Sequence, residues 1–387
     1  MRTCIAGAEL VTPNGLLEGH HVLVVDGRIA LITPREEIAE EPGTEVVDAT
    51  GLVLGPGFID IHCHGGGGRW FHEDPLPAAR FHLEHGTTSL LATTILHADA
   101  REQVEALAVA ADAALDPAAV NVVGVNMEGP FLHPELGAYR EWSRPARPQE
   151  YMEYVRASRG SLRWMTIAPE VEGVTRMVDD LQAATRGALT FSVGHSKATR
   201  DQIRALMPRG LRAATHLMNA TGAAVEPARF GGTREVGVDE AVLLEDSISA
   251  EVIADSEGAH VRPDLLRLIF KVKGPERTLL VTDCTAECGG AGHEGPADLN
   301  FTASGGLAGS SLTMDRAVAN FVRHTGAELA QAWDLGSRVP ARLMGFADRG
   351  EVAPGLRADL VLARWDGLSL KIEDVWIDGV SEGGRHD

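Results

Sequence analysis

The chain of 387 residues has few cysteines, few aromatic residues and a shortage of positive charge. Its four cysteines lack the paired C-x-x-C spacing of a zinc ribbon, and they do not form the framework of a small secreted disulfide protein. Lys and Arg number 35 against 55 Asp and Glu, which gives a formal net charge of −20. Because nucleic-acid backbones are bound by clustered positive charge, this balance argues against nucleic acid as a partner.

The sequence also lacks long apolar segments. No run is long enough to span a bilayer, and the first residues, MRTCIAGAELVTPNG, have no apolar stretch followed by a small-residue cleavage site. We therefore expect a cytoplasmic protein with no membrane partner. The hydrophobic content of 44% is enough for a large core, and the shortage of positive charge means that an anionic substrate needs a local basic group.

Short β-rich segments with Gly, Pro and Asp turns occupy both ends of the chain. The segment HHVLVVDGRIALI is typical of two strands joined by a hairpin turn at Asp26-Gly27. Near the other end, EVAPGLRADLVLARW and IEDVWIDGV have the same composition. We predict that residues 1–54 and 346–387 together form one small β-sandwich domain, into which residues 55–345 are inserted.

The middle of the chain alternates apolar, strand-like runs with amphipathic helical stretches. The eight runs cover residues 57–65, 87–94, 121–129, 162–170, 188–196, 212–220, 249–255 and 278–285. Continuous apolar strands separated by helices are typical of a parallel sheet that is covered on its faces. Eight such units in about 230 residues favour a (β/α)8 barrel over an open doubly wound sheet.

Polar residues stand at the ends of these runs: His62, His64, Glu128, His195, His216 and Asp283. Barrel enzymes build their active sites where the carboxyl ends of the strands converge, so these side chains are expected to meet. Imidazole and carboxylate ligands indicate a divalent metal ion, with Zn2+ the leading candidate. A single histidine of this kind is more often a satisfied polar residue, and it is the combination of six that predicts a metal site.

The stretch GFIDIHCHGGGG contains two of these residues in an H-x-H pattern. Because side chains alternate along a strand, His62 and His64 point to the same face and can reach one metal ion. Cys63 points the other way and is expected to pack against the protein. The four glycines that follow predict a tight turn under the site, although a plain flexible loop explains them nearly as well.

The motifs PGFIDIHCHG, EGPF, GHS, THLMNA, VTD and LAGSSLTMDRAV together resemble the amidohydrolase superfamily and, within it, the N-acetylglucosamine-6-phosphate deacetylase family. The similarity extends over almost the whole chain. In that family the matching residues Glu128, His195 and His216 bind a metal ion. Members that keep the H-x-H histidines, here His62 and His64, can hold a second ion that the glutamate bridges.

The resemblance also implies a reaction and a set of substrate contacts. Asp283 matches the general base and acid that removes the N-acetyl group from the amino-sugar phosphate, which gives acetate and the free amine. Asn219 and Ala220 match residues that hold the substrate's phosphate, and Arg234 is the nearest match to an arginine, often from the partner subunit of a homodimer, that pairs with it. His260 matches a histidine that contacts the sugar.

Three segments around the substrate depart from the family's pattern. Tyr139 stands where the family usually has a histidine that helps to polarise the carbonyl group; a tyrosine can donate a hydrogen bond but carries no positive charge. The segment ADSEGAH, which contains His260, is two residues longer than usual, and the stretch after Asp283 is shorter. None of these changes falls on the metal residues, but they leave the identity of the substrate undetermined.

Several alternatives therefore remain at the level of sequence. The same chemistry could act on N-acetylgalactosamine 6-phosphate, on an unphosphorylated N-acetyl sugar or on an N-acyl amino acid. A non-catalytic barrel that binds a metabolite is an alternative of another class, although none of the six site residues is lost. The ligand set accepts Zn2+, Fe2+, Mn2+ or Co2+, as one ion or two.

Overall fold

The structure is a computed structural model that describes residues 1–34, 43–222, 230–233, 235–289 and 298–383. Its strands are β1 (Arg2–Ala6), β2 (Glu9–Thr12), β3 (Gly15–Leu17), β4 (His20–Val25), β5 (Arg28–Pro34), β6 (Glu45–Asp48), β7 (Val53–Pro56), β8 (Phe58–Cys63), β9 (Gly65–Gly66), β10 (Arg69–Trp70), β11 (Thr87–Thr94), β12 (Val122–Glu128), β13 (Leu162–Ile167), β14 (Thr190–Val193), β15 (Leu211–Ala214), β16 (Ser249–Val252), β17 (Thr278–Leu280), β18 (Leu299–Phe301), β19 (Leu307–Ser310), β20 (Leu360–Trp365), β21 (Leu370–Ile377) and β22 (Val380–Ser381).

The α-helices are α1 (Pro75–Glu84), α2 (Ala100–Ala113), α3 (Pro148–Ala157), α4 (Val174–Thr185), α5 (Arg200–Leu206), α6 (Val238–Leu244), α7 (Pro263–Lys273), α8 (Met314–Thr325), α9 (Leu329–Leu335) and α10 (Arg338–Met344). Short 3-10 helices cover Arg140–Trp142 and Met207–Arg209. None of the helices in the described ranges is long and apolar enough to cross a membrane.

Eight parallel strands form a barrel in the order β8, β11, β12, β13, β14, β15, β16, β17. The first and last strands meet beyond β17, where the backbone N–H of Asp283 donates to the carbonyl of His62 and the hydroxyl of Thr282 donates to Asp60. An α-helix follows each of the eight strands along the chain. The predicted (β/α)8 barrel is confirmed.

Side-chain caps fix where two of these helices begin. The carboxylate of Asp99 accepts a hydrogen bond from the backbone N–H of Arg101 at 2.6 Å, so α2 begins directly after it. Thr199 and Gln202 form a capping box at the start of α5. Caps of this kind satisfy N–H groups that have no partner within the helix, and they end the preceding loop close to the barrel mouth.

Two further sheets are formed by the ends of the chain, and one of them contains strands from both ends. The four-stranded sheet has the order β5-β4-β1-β6, and the six-stranded sheet has the order β22-β21-β20-β7-β2-β3. In the second sheet β7 pairs antiparallel with β20, so both ends share one sheet as predicted. A second apolar core, separate from that of the barrel, includes residues from both sheets: Ile5, Leu10, Val22, Ile29, Leu54 and Trp376. The predicted domain boundaries stay a prediction.

The predicted hairpin at Asp26-Gly27 is also present. Strands β4 and β5 are antiparallel neighbours, and the two turn residues have φ angles of 47° and 81°. Positive φ at both central positions defines the type I′ turn, whose twist matches that of the flanking strands. Asp and Gly tolerate this conformation better than most residues, which is why the dipeptide was a useful signal.

Candidate active site

All six predicted metal-site residues meet at the mouth of the barrel. His62 lies in β8 and His64 directly follows that strand, while Glu128 is the last residue of β12. The other three stand two or three residues beyond strands β14, β15 and β17, and they are His195, His216 and Asp283. Each of the six is at most 9% exposed. Their placement follows the rule that barrel active sites form at the carboxyl ends of the strands.

Three of the six have an unusual backbone conformation. The φ angles of His195, His216 and Asp283 are 46°, 29° and 52°. A positive φ is uncommon for residues with a side chain, and such residues cost on the order of 1–3 kcal/mol unless the surrounding fold holds them. The turns end the strands earlier than the predicted runs and carry the three side chains into the barrel mouth.

Glu128 is the centre of the cluster. Its Oε1 lies 2.9 Å from Nε2 of His195 and 3.2 Å from Nε2 of His216. Its Oε2 lies 3.2 Å from Nε2 of His64 and 3.6 Å from Nε2 of His62. The two oxygens of one carboxylate therefore face two different pairs of histidines.

Asp283 completes the side of the cluster that holds the H-x-H histidines. Its Oδ1 lies 3.1 Å from Nε2 of His64 and 3.6 Å from Nε2 of His62. The two histidine Nε2 atoms are themselves 3.3 Å apart. The cluster therefore contains two groups with metal-ligating geometry, and Glu128 belongs to both. One group is His62, His64, Glu128 and Asp283, and the other is Glu128, His195 and His216.

The charges in the cluster depend strongly on one another. Burial by itself lowers the pKa of His62, but the carboxylates of Glu128, Glu251 and Asp283 outweigh it and raise that pKa well above its usual value. Burial raises the pKa of Glu128, and the facing histidines reverse this and hold it well below its usual range. The pKa of Asp283 is likewise lowered by His64 and His62 against the effect of burial. Without another cation, only imidazolium groups can balance these carboxylates.

A divalent metal ion fits this donor set. The four histidines all direct the same ring atom, Nε2, at the Glu128 carboxylate, and two of these nitrogens face each other at 3.3 Å. Neutral imidazole nitrogens and carboxylate oxygens are ligands of Zn2+ and related ions, and a cation supplies the positive charge that the buried carboxylates require. The residues present could therefore hold one ion or two.

The histidines differ in how their second ring nitrogen is held. Nδ1 of His62 lies 3.3 Å from Oε2 of Glu251, and Nδ1 of His216 lies 3.0 Å from the carbonyl oxygen of Asn219. Within the described part of the chain, Nδ1 of His64 and Nδ1 of His195 are buried and have no hydrogen-bond partner.

Glu251 was not predicted from the sequence. It lies in the middle of β16, in the run SAEVIAD, and is completely buried. Strand-end reasoning passed over it because the strand continues after it. The available signal was chemical: a lone glutamate in a strand that is otherwise apolar or small must find a partner inside the barrel.

A cavity of about 1280 Å³ opens above the cluster. The predicted substrate contacts Tyr139, Asn219, Ala220 and His260 all line it. Five of the six metal-site residues line it as well, namely His64, Glu128, His195, His216 and Asp283. The predicted phosphate partner Arg234 lies outside the described residues. The structure thus brings the described candidates to one cavity, and their roles stay predictions.

Tyr139 is held by stacking on Trp142, with ring centroids 4.9 Å apart and an angle of 7° between the planes. Burial, followed by the carboxylates of Glu287 and Glu141, raises the pKa of its hydroxyl. The group therefore stays protonated at neutral pH and is available as a hydrogen-bond donor.

The segment that carries Tyr139 is tied to the loop of His195. The backbone N–H of His133 donates to the carbonyl of His195 at 2.9 Å, and Lys197 pairs with Glu135. Gly137, with φ of 93°, lies so close that a Cβ there would be 2.7 Å from Nδ1 of His195. The position of the cavity wall is therefore coupled to that of a metal-site histidine.

His260 is fixed from two sides. Its Nδ1 lies 3.0 Å from Oδ2 of Asp255, and its Nε2 lies 3.1 Å from the carbonyl oxygen of Gly309. The amide of Asn219 donates to the carbonyl of His260 at 3.3 Å. Both ring nitrogens of His260 have protein partners, so a sugar would compete with Gly309 for the ring.

The glycine run after His64 forms a compact turn, as the sequence predicted. Gly65 and Gly66 pair with Arg69 and Trp70, and a Cβ on Gly66 would lie 2.5 Å from the ring of Phe81. The backbone of this run therefore packs directly on α1. Side chains are excluded here by close packing against the protein.

The sequence profile of the amidohydrolase family matches residues 53–381. The match covers most of the chain, including the barrel and its site, and the chain belongs to this family. It is therefore a hydrolase that acts on carbon–nitrogen amide bonds, as the sequence predicted.

Similar proteins are known over the full length. The N-acetylgalactosamine-6-phosphate deacetylase of Escherichia coli O157:H7 is 30% identical, with 98% of this chain and 99% of that protein aligned. The N-acetylglucosamine-6-phosphate deacetylase of Bacillus subtilis (strain 168) is 29% identical, with 94% and 93% aligned. The crystal structure of N-acetylglucosamine-6-phosphate deacetylase from Pasteurella multocida has a TM-score of 0.85 at 26% identity, and it covers 99% of this chain and 100% of that chain.

Proposed function

We propose that the protein removes the acetyl group from N-acetylglucosamine 6-phosphate, giving glucosamine 6-phosphate and acetate. The observation that carries this proposal is the convergence of four histidines and two carboxylates at the mouth of a barrel whose relatives, aligned over nearly their whole length, are deacetylases of amino-sugar phosphates. An amide hydrolase needs a polarised carbonyl, an attacking water and a proton for the leaving amine, and the cluster offers groups for each.

Two sets of residues would hold the metal. Glu128, His195 and His216 would bind one ion, and His62 and His64 would bind a second that shares Glu128. We propose Zn2+, because imidazole nitrogen and carboxylate oxygen suit it. Such an ion, when bound, polarises a carbonyl and lowers the pKa of water towards neutrality.

Asp283 would move the proton. Its lowered pKa keeps the carboxylate ionised, so Oδ1 can accept a proton from the attacking water. The water oxygen bonds to the carbonyl carbon, the carbon–nitrogen bond breaks, and Asp283 returns the proton to the departing amine nitrogen. The Tyr139 hydroxyl, which lines the same cavity, is proposed to donate a hydrogen bond to the substrate.

The phosphate would lie at the Asn219 and Ala220 side of the cavity. A chain of net charge −20 needs a local cation there, and we propose Arg234 because a guanidinium matches phosphate oxygens. Among the described residues that line the cavity, Arg140 is the one Lys or Arg side chain. It is exposed and lies beside Tyr139, so it serves as a control for Arg234.

The test is acetate release by the purified protein, with its metal content measured. We expect turnover of N-acetylglucosamine 6-phosphate and little turnover of N-acetylglucosamine. Arg234→Ala should lower kcat/KM for the phosphorylated sugar by at least tenfold, while Arg140→Ala should change it little. Equal turnover of the two sugars by a metal-loaded protein would show that the phosphate is not recognised and that the substrate is wrong.

N-acetylgalactosamine 6-phosphate is the second candidate. The Escherichia coli relative named for this substrate is as similar as the Bacillus subtilis relative named for the glucosamine compound, at 30% and 29% identity. The two sugars differ only in the orientation of one hydroxyl group, so the ratio of their kcat/KM values decides between them. A homodimer and a cytoplasmic location stay predictions, which size-exclusion chromatography with light scattering and cell fractionation can test.

A further inference from the structure

Glu251 is a carboxylate enclosed in the barrel directly beneath the cluster. It is 0% exposed. Its Oε2 lies 3.3 Å from Nδ1 of His62, and its Oε1 accepts a hydrogen bond from the hydroxyl of Ser192 at 3.4 Å. A buried carboxylate with so few partners is costly unless a positive charge or a strong donor faces it. His62 is the partner that can provide such a donor.

A row of hydroxyl groups fixes the orientation of Glu251. The hydroxyl of Thr215 donates to that of Ser192 at 2.7 Å, and Thr215 and Thr166 are 2.9 Å apart at their Oγ1 atoms. These three side chains come from the ends of β13, β14 and β15 or directly after them, and all are 0% exposed. Because Ser192 occupies Oε1, the other oxygen of Glu251 is left for His62.

This contact decides the tautomer of His62, and so which ring nitrogen presents its lone pair to the cluster. When Nδ1–H donates to Glu251, Nε2 is unprotonated and points at His64, Glu128 and Asp283. Metal-binding histidines are oriented in this way by carboxylates that hold their other nitrogen, which also makes them more basic ligands. On the opposite side of the cluster, His195 has no such partner among the described residues.

We propose that Glu251 is the positioning residue for an ion on the His62–His64 side of the cluster, and that it determines whether this ion is retained. The inference rests on the proposed metal-dependent function. It goes further in assigning the retention of one particular ion to a residue that does not itself reach the metal. Glu128, His195 and His216 would hold the other ion independently of Glu251.

The experiment compares the purified protein with Glu251→Gln, which keeps the shape of the side chain and removes its charge. Thr166→Val is the matched control, because it removes a buried hydroxyl of the same row without contacting His62. Metal per chain is measured after dialysis against graded chelator concentrations, and the visible absorption of the Co2+-loaded proteins is recorded. Circular dichroism establishes that each variant is folded.

We expect two ions per chain in the unaltered protein and in Thr166→Val. In Glu251→Gln, one of the two should bind about 10–100-fold more weakly, with a changed Co2+ spectrum. Glu251→Asp retains the charge on a shorter side chain. Its affinity for this ion should lie between those of the unaltered protein and Glu251→Gln. It also replaces Glu251→Gln in the comparison if that variant does not fold.

Two results would overturn the inference. One is a Glu251→Gln protein that retains both ions with unaltered affinity and spectrum, and the other is an unaltered protein that holds a single ion. In the second case, continued acetate release leaves the proposed function intact. Conversely, a protein that loses one ion on Glu251→Gln but never releases acetate supports the role of Glu251 and contradicts the proposed substrate.

Discussion

The floor and the wall of the cavity are built differently. The floor is the set of six residues at the strand ends, each at least nine-tenths buried and fixed by the barrel. The wall is the segment of residues 132–142, in which Tyr139 and Gly137 are partly exposed and Arg140 is exposed. In the proposed function the floor carries out hydrolysis, whereas the wall contributes Tyr139 as a substrate contact. The two regions are joined where Gly137 approaches His195, so a change in the wall can also affect the floor.

Replacing Asp283, the proposed proton carrier of the floor, should have the largest effect. Asp283→Asn keeps the size of the side chain but cannot accept a proton, so we expect kcat to fall by about 10²- to 10⁴-fold. Acetate release and metal content are measured together, so that a lost ion is distinguished from lost proton transfer. A metal-loaded variant that works within tenfold of the unaltered protein would remove Asp283 from the mechanism.

His82 supports the floor and should make it sensitive to acid. Its Nε2–H donates to the carbonyl of Gly65 at 2.9 Å, and burial lowers its pKa to about 4. Between pH 4 and 6.5 the unfolded chain therefore binds a proton that the folded chain does not, so the free energy of unfolding falls as the pH is lowered through this window. Across this window, His82 should lower the free energy of unfolding by an amount on the order of 3 kcal/mol.

Urea unfolding at pH 7, 6 and 5 checks this expectation. His82→Gln can still donate to Gly65 but cannot titrate, so its unfolding free energy should fall less steeply with acidification than that of the unaltered protein. His20→Gln, at a position in the small sheets, serves as the control and should keep the steep dependence. Identical pH profiles for His82→Gln and the unaltered protein would contradict the assignment.

The junction between floor and wall can be tested at Gly137. Gly137→Ala introduces strain at φ of 93° and places a Cβ 2.7 Å from Nδ1 of His195, so we expect kcat/KM to fall roughly tenfold through displacement of the wall. Gly160→Ala is the matched control, because Gly160 has φ of 86° and no atom within 4 Å of the added Cβ.

Both glycine variants should lose about 1–2 kcal/mol of unfolding free energy from backbone strain, measured by denaturant titration. Only Gly137→Ala should lose activity at a temperature where both are folded. If the two variants lose activity equally, the wall is not coupled to His195.

The smallest effect is expected for the hydroxyl of the wall. Tyr139→Phe keeps the stacking on Trp142 and removes one hydrogen-bond donor, so kcat/KM should fall about two- to tenfold. The kcat/KM values for N-acetylglucosamine 6-phosphate and N-acetylgalactosamine 6-phosphate are measured for the same variant, and their ratio is compared with that of the unaltered protein. An unchanged kcat/KM for both would show that the hydroxyl does not contact the substrate.

The floor could be predicted from sequence because it follows from one geometric rule. Parallel strands in a barrel bring their carboxyl ends together, so Glu128 and His216 could be placed side by side although they are far apart in sequence. Glu251 escaped this rule because it lies within β16, and the role proposed for it depends on its contact with His62 of β8.

The wall could not be predicted in the same way. The position of Tyr139 depends on stacking with Trp142 and on the close approach of Gly137 to His195, and neither contact has a periodic signal in the sequence. His260 is predicted to contact the sugar and lines the cavity, and its ring also bonds to Asp255 and Gly309, contacts that no sequence pattern indicates. Side-chain partners in loops are decided by tertiary packing, which strand and helix patterns do not encode.

The pairing of β7 with β20 has a consequence for biosynthesis. Strand β7 leaves the ribosome about 300 residues before its partner, and at ~5–20 residues per second it waits for roughly 15–60 s. During that time the edge of β7 that later pairs with β20 is open to other chains. Translation speed and chaperone supply should therefore control the yield of this protein more than they do for a barrel whose small domain is encoded in one continuous segment.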